Sequence, residues 1–191
     1  MTRREALKRT ALVMGAAVSA SATAALFSGC QTSGAGTELD WQPEFLTKEQ
    51  GATVREVAER ILPATDTPGA KDANVQEFID LMLRDVYTPD ERKIVTTGLE
   101  ELQERAQNDY GSAFYDLEIA DMNTLLMEIN QTAYATPGGS RHWFSYLKEL
   151  TIIGFFNSEL GATEVARYEP VPGAYQGCVP LEQIGYVWAT T

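Results

Sequence analysis

The sequence predicts an all-α fold, a compact array of about five helices followed by an extended, aromatic C-terminal tail. Three observations carry this reading. Apolar residues recur at three- and four-residue intervals between Thr47 and Leu160, the repeat that lines one face of a helix. Thr or Asn followed three residues later by Glu or Gln marks where several of these stretches begin. The strict alternation of a half-buried strand is nowhere sustained.

The elements follow in order. Thr47 with Gln50 reads as a capping box, and Val54, Val57, Ala58, Ile61 and Leu62 then line one helical face until Pro63 stops it. Asn74 with Glu77 opens a second helix with the apolar set Val75, Phe78, Ile79, Met82, Leu83 and Val86. Thr88-Pro89-Asp90-Glu91 is a second capping box with Pro at the first helical position, and its helix buries Ile94, Val95, Leu99, Leu102 and Ala106. A fourth helix, from about Glu118 to Thr132, presents Met122, Leu125, Leu126 and Ile129. A fifth runs from about Ser140 to Leu160, with Gly161 as its stop. Trp143, Phe144, Tyr146, Leu147, Leu150, Ile152, Ile153, Phe155 and Phe156 go nearly all the way round it, so it is either the central helix of the array or one whose outer face another protein covers. After Arg167, Pro170, Pro172, Gly173, Gly177 and Pro180 break helical continuity, and the tail carries Tyr168, Tyr175, Cys178, Ile184, Tyr186 and Trp188. Such a tail wraps its own bundle or lies on a partner.

The N-terminus is of another character. Arg3, Arg4, Lys8 and Arg9 stand against the single acid Glu5, and no charge follows from Thr10 to Gly29. This is a charged region followed by an Ala-rich apolar one, the layout of a signal peptide more than of a membrane span. Thr2-Arg3-Arg4-Glu5-Ala6-Leu7-Lys8 resembles the twin-arginine export signal. Leu26-Phe27-Ser28-Gly29-Cys30 resembles a bacterial lipobox, in which the Cys30 thiol accepts the lipid; the alternative is that Cys30 is merely a small residue near an ordinary cleavage site. The expected organisation is a signal with lipobox over 1–30, a flexible tether over 31–40 and a single helical domain over 41–191. Removing the four bases and one acid of the signal from totals of 15 and 27 leaves 11 basic and 26 acidic residues. So acidic a body is repelled by phosphate backbones and anionic surfaces, which argues against nucleic-acid binding.

Chemistry-bearing patterns are sparse. One His and two Cys cannot furnish a four-ligand zinc site of those residues, and one His cannot furnish the paired Glu-x-x-His of a di-iron bundle. His142 beside Trp143 has no nucleophile or acid placed next to it by sequence, and Asp90-Glu91 and Glu100-Glu101 read as solvated charge. No Gly-rich nucleotide cradle occurs. Pro63-Ala64-Thr65-Asp66-Thr67-Pro68-Gly69-Ala70 reads as a rigid turn in which Asp66 bonds nearby backbone N–H groups. No catalytic, cofactor-binding or metal-binding residue is assigned to this chain.

Taken together, several of these features resemble the gluconate 2-dehydrogenase subunit 3 family. They are the twin-arginine signal, the Leu46-Thr47-Lys48-Glu49 helix start, the Pro63–Ala70 turn followed by Val75, Phe78 and Ile79, the Gly98-Leu99 pair, Phe155-Phe156 ahead of Gly161, and the Tyr168–Cys178 tail. The resemblance implies a non-catalytic accessory subunit of a periplasmic, membrane-associated sugar, sugar-acid or alcohol dehydrogenase. In that family catalysis and FAD reside in a separate glucose-methanol-choline type oxidoreductase subunit, often completed by a cytochrome c, and the small subunit carries the export signal for both. The lipobox departs from the pattern: it makes this subunit itself the anchor and puts the need for a membrane cytochrome in doubt. The expected interface with the flavoprotein comprises Phe155, Phe156, Tyr168, Tyr175 and Cys178, with Cys178, the one thiol left after lipidation, bonded to the partner. The competing expectation is a free-standing periplasmic lipoprotein that binds or hydrolyses a small solute, which would need a preformed polar pocket.

Overall fold

In the computed structural model the described residues are 39–134, 141–168, 171, 173, 178–185 and 188–189. The expected signal and tether residues 1–38, with Arg3, Arg4 and Cys30, lie outside them, as does Tyr175.

Five long helices form: α1 (Lys48–Ile61), α2 (Val75–Asp85), α3 (Pro89–Tyr110), α4 (Ile119–Tyr134) and α5 (Trp143–Phe156). A 3-10 turn at Phe114–Asp116 links α3 to α4, and one π-helical turn, Gly161–Val165, follows α5. In the tail, β1 (Arg167–Tyr168) pairs in parallel with β2 (Trp188–Ala189), and the four-residue α6 (Leu181–Ile184) lies between them in sequence.

Local sequence sets the helix starts. Thr47 accepts the Gln50 N–H at 3.2 Å while Gln50 Oε1 accepts the Thr47 N–H at 3.1 Å, and Thr88 and Glu91 repeat the arrangement at α3 with Pro89 at its first position. Each box satisfies helix N–H groups that would otherwise lack partners, an effect of about 1 kcal/mol. Asn74 opens α2 as the sequence indicates, but not through its side chain. Asn74 adopts a left-handed backbone, φ 51°, and its side chain makes no capping bond. The chain reaches it through a tight turn, with Asn74 N–H donating to Lys71 O at 3.0 Å and Val75 N–H to Ala70 O at 3.1 Å. Asn is among the few residues that tolerate that conformation, and this is its role here.

The core follows the periodicity. Val54 and Val57 of α1, Val75, Ile79 and Leu83 of α2, Val95, Leu99 and Leu102 of α3, and Met122, Leu125 and Leu126 of α4 are all buried. Val86, expected on the inner face of α2, lies beyond the helix end and is exposed. α5 contacts all four other long helices, so it is the central helix. It is shorter than the predicted 140–160: Asn157 closes it, its Nδ2 donating to Ile153 O at 2.8 Å, and Ser158 Oγ donates to Phe155 O at 2.6 Å. Gly161 is therefore not its stop. It lies inside the π-helical turn, where a Cβ would collide with the Phe155 carbonyl.

Candidate partner-binding surface

The surface that the sequence marks for a partner depends on how α5 is held. His142 is its N-cap: Nδ1 accepts the Phe144 N–H at 3.2 Å, which requires that nitrogen to be unprotonated. Partial burial lowers the His142 pKa below its ordinary 6.5, and the nearby Glu101 carboxylate opposes this more weakly. The chain's lone histidine thus acts as a helix cap. Trp143, next in sequence, is buried with its indole directly over Gly98 of α3, where any Cβ would overlap the ring. Gly154 serves α2 in the same way, since a Cβ there would lie 2.6 Å from Phe78 Cδ1. The two glycines let α5 approach α3 and α2 more closely than an alanine would permit.

Held in this way, α5 is not buried on every side. Ile152, Ile153 and Phe156 are 45%, 38% and 39% exposed. At spacings of one and four residues they form one apolar edge at the C-terminal end of the helix. Of the predicted pair, Phe155 is only 3% exposed and belongs to the core, so Phe156 alone presents surface; their rings meet edge to face at 5.4 Å. Phe155 therefore lies beneath the exposed edge and not on it. Tyr168, on β1, is half exposed, Cys178 is exposed, and Val171 stands well out from the surface. Ile152 and Ile153 were not among the residues expected at the interface. Nothing in an all-round apolar helix tells which part of it the neighbouring helices leave uncovered.

Two further residues escaped sequence reasoning because they are acids buried by distant parts of the chain. Glu59 of α1 is 7% exposed and organises the Pro63–Ala70 turn. Its Oε1 accepts the Ala64 N–H and its Oε2 the Lys71 N–H, each at 2.9 Å. A Cβ on Gly69 would come within 2.7 and 2.8 Å of the same two oxygens. The role expected of Asp66 thus falls to Glu59; Asp66 is exposed and accepts the Thr65 hydroxyl. Asp80 of α2 is 1% exposed and gathers the approach to α1, accepting N–H groups from Glu44 at 2.7 Å, Phe45 at 3.2 Å and Leu46 at 2.8 Å. One turn further on, Arg84 pairs with Glu44 and Asp85, which holds the Asp85 carboxyl below its usual range.

Among the described residues no group of three or more His, Cys, Asp or Glu side chains is arranged to hold a metal ion, and no helix is long and apolar enough to cross a membrane. The model of the family described as gluconate 2-dehydrogenase subunit 3 matches residues 48–173, from the first residue of α1 to the early tail. No curated protein and no solved structure matches the chain.

Proposed function

Because this chain belongs to the gluconate 2-dehydrogenase subunit 3 family, we propose that it is the non-catalytic small subunit of a membrane-associated, FAD-dependent dehydrogenase of the glucose-methanol-choline type. It carries the export signal and stabilises the catalytic subunit, which oxidises a sugar, sugar acid or alcohol and holds the FAD. The single observation that carries the reading is the apolar edge Ile152, Ile153 and Phe156 on the helix that the rest of the fold holds in place.

Magnitude supports a partner and also limits what this edge does alone. Three side chains about 40% exposed offer roughly 200–250 Å² of apolar surface, worth at most about 6 kcal/mol of burial, while a stable complex covers about 800 Å² per partner. The tail, with exposed Tyr168 and Cys178, supplies further area in this reading. Arg3 and Arg4 direct both subunits through the twin-arginine route, and acylated Cys30 anchors the complex on the periplasmic side of the membrane, with or without a cytochrome c subunit.

The test is co-expression of the full chain with the flavoprotein subunit. Flavin absorbance should copurify with the wild-type chain and fall away with Ile153→Asp. A wild-type chain that elutes without any flavoprotein would overturn the reading. The anchor is tested separately: Cys30→Ala should move the folded chain from the membrane to the soluble fraction.

A further inference from the structure

An arginine in so acidic a chain normally finds a carboxylate. With 27 acids to 15 bases there is no shortage of them. Arg84 pairs with Glu44 and Asp85, Arg105 with Glu128 and Asp109, and Arg141 with Glu149. Arg92 donates to Tyr87 O at 2.8 Å and lies over the Phe45 ring. Among the described residues Arg60, in the last turn of α1, makes no such pairing, and its Nε is shielded from solvent with no acceptor. A shielded donor without a partner is unfavourable, and more so when it carries charge.

The surroundings of Arg60 are specific. It opens onto a groove of about 230 Å³ between the end of α1, one face of α4 and the start of α5. Asn123, Met127 and Asn130 line it from α4 at spacings of four and three residues, and Phe144 and Lys148 line it from α5. Lys148 Nζ donates to Asn130 Oδ1 at 3.1 Å. No carboxylate is among the described residues that line the groove, although acids dominate the chain as a whole. Met127, at its rim, is 67% exposed. The groove thus combines a guanidinium with an unused donor, a second cation, two amides and an apolar rim.

We propose that this groove is a second docking point for the catalytic subunit and receives an Asp or Glu side chain flanked by an apolar residue. The carboxylate pairs with the Arg60 guanidinium, which lines the groove, in the planar, two-point geometry that this group favours, with Lys148 adding charge, while the apolar neighbour covers Met127. Selectivity comes at short range. The acidic body repels an anionic partner at a distance, so the local positive charge of the groove decides where an acidic segment settles. The inference rests on the accessory-subunit reading and adds to it a site remote in sequence from the tail.

The experiment uses the full chain co-expressed with the flavoprotein subunit. Arg60→Glu should weaken the complex at least tenfold, and Arg60→Lys, which keeps the charge but loses the two-point geometry, should weaken it less than Arg60→Glu does. Thermal melts of each isolated variant should not fall below wild type, because Arg60 holds no partner among the described residues. Carbodiimide treatment of the Arg60→Lys complex should create a zero-length crosslink, absent from wild type, between the introduced amine and an Asp or Glu of the flavoprotein. Undiminished affinity in Arg60→Glu, or a new crosslink only to this chain or to a second copy of it, would overturn the proposal. The two readings fail differently: a wild-type chain that never binds flavoprotein removes both, whereas a stable wild-type complex indifferent to Arg60→Glu removes this one alone.

Discussion

Replacing Gly98 by Ala sets two effects of opposite sign against each other. Gly98 lies in the interior of the 22-residue α3, where Ala should stabilise the helix by about 1 kcal/mol through lower backbone entropy in the unfolded chain. The structure opposes this. The added methyl would overlap Cγ, Cδ1 and Cδ2 of Trp143, and ordinary contact at 3.5–4.0 Å requires the ring or α5 to retreat by at least about 1 Å. Trp143 is 6% exposed and its neighbours Phe144 and Leu147 are buried, so no open space receives it. Overpacking of this kind costs about 1–3 kcal/mol, and an overlap with three ring atoms belongs at or above the upper end. The net expectation is a loss of about 2 kcal/mol, equivalent to a fall in Tm of roughly 4–8 °C for a domain of this size. Urea and thermal unfolding of the isolated chain measure it. Trp143→Leu should cost stability in the wild-type background and cost less, or nothing, in Gly98→Ala, because one methyl and one ring compete for the same space. A Gly98→Ala protein as stable as wild type, or more so, would show that helix propensity wins and that the α3–α5 approach is not limited by this glycine.

Four other outcomes are expected. Asp80→Asn leaves one acceptor oxygen where two serve the N–H groups of Glu44, Phe45 and Leu46, so it should cost about 1–3 kcal/mol and speed proteolysis ahead of α1; unchanged stability would refute the account. Burial lowers the folded-state pKa of His142, so the unfolded chain binds the proton more readily: this contribution is complete above the ordinary value of 6.5 and is lost as pH falls below it. A Tm profile from pH 8 to 5 should therefore decline less steeply in His142→Asn, which caps without titrating in that range, and parallel profiles would contradict the assignment. Changing both Arg3 and Arg4 to Lys should leave the chain and its flavoprotein in the cytoplasm, and continued export would rule out the twin-arginine route. Non-reducing electrophoresis of the purified complex should show Cys178 joined to the flavoprotein, whereas two separate bands would exclude that bond.

What was legible in the sequence was what neighbours in the chain decide among themselves. Both Thr capping boxes form as read, because a hydroxyl and an N–H three residues on are brought together by the helix itself. The core stripes of α1, α3 and α4 are legible for a related reason, since a helix needs only one buried face and the 3.6-residue repeat shows which. Asn74 marks the limit: the same spacing that signals a box is present, yet the direction from which the chain arrives fixes its backbone as left-handed. Glu59 and Asp80 exceed the limit altogether. Each looks like one more acid on a polar helix, and only the return of residues 64–71 and 44–46 supplies the N–H groups that make burial of a carboxylate tolerable.

The fifth helix shows why the candidate surface was half legible. Composition establishes that every side of α5 tolerates or requires an apolar environment, and it leaves open whether other helices or another protein provide it. Both do, in the reading developed above, at different places along one helix. Trp143, Phe144, Leu147 and Leu150 are enclosed by the other four long helices, while Ile152, Ile153 and Phe156 pass beyond that enclosure. The distinction depends on where the flanking helices end and on the close approaches that Gly98 and Gly154 allow. Shifting α5 at either glycine would therefore alter its exposed edge without changing any residue on it. For that reason Gly98→Ala should weaken binding of the flavoprotein as well as folding, and an excess of Ile153→Asp loss over Gly98→Ala loss would separate contact from placement.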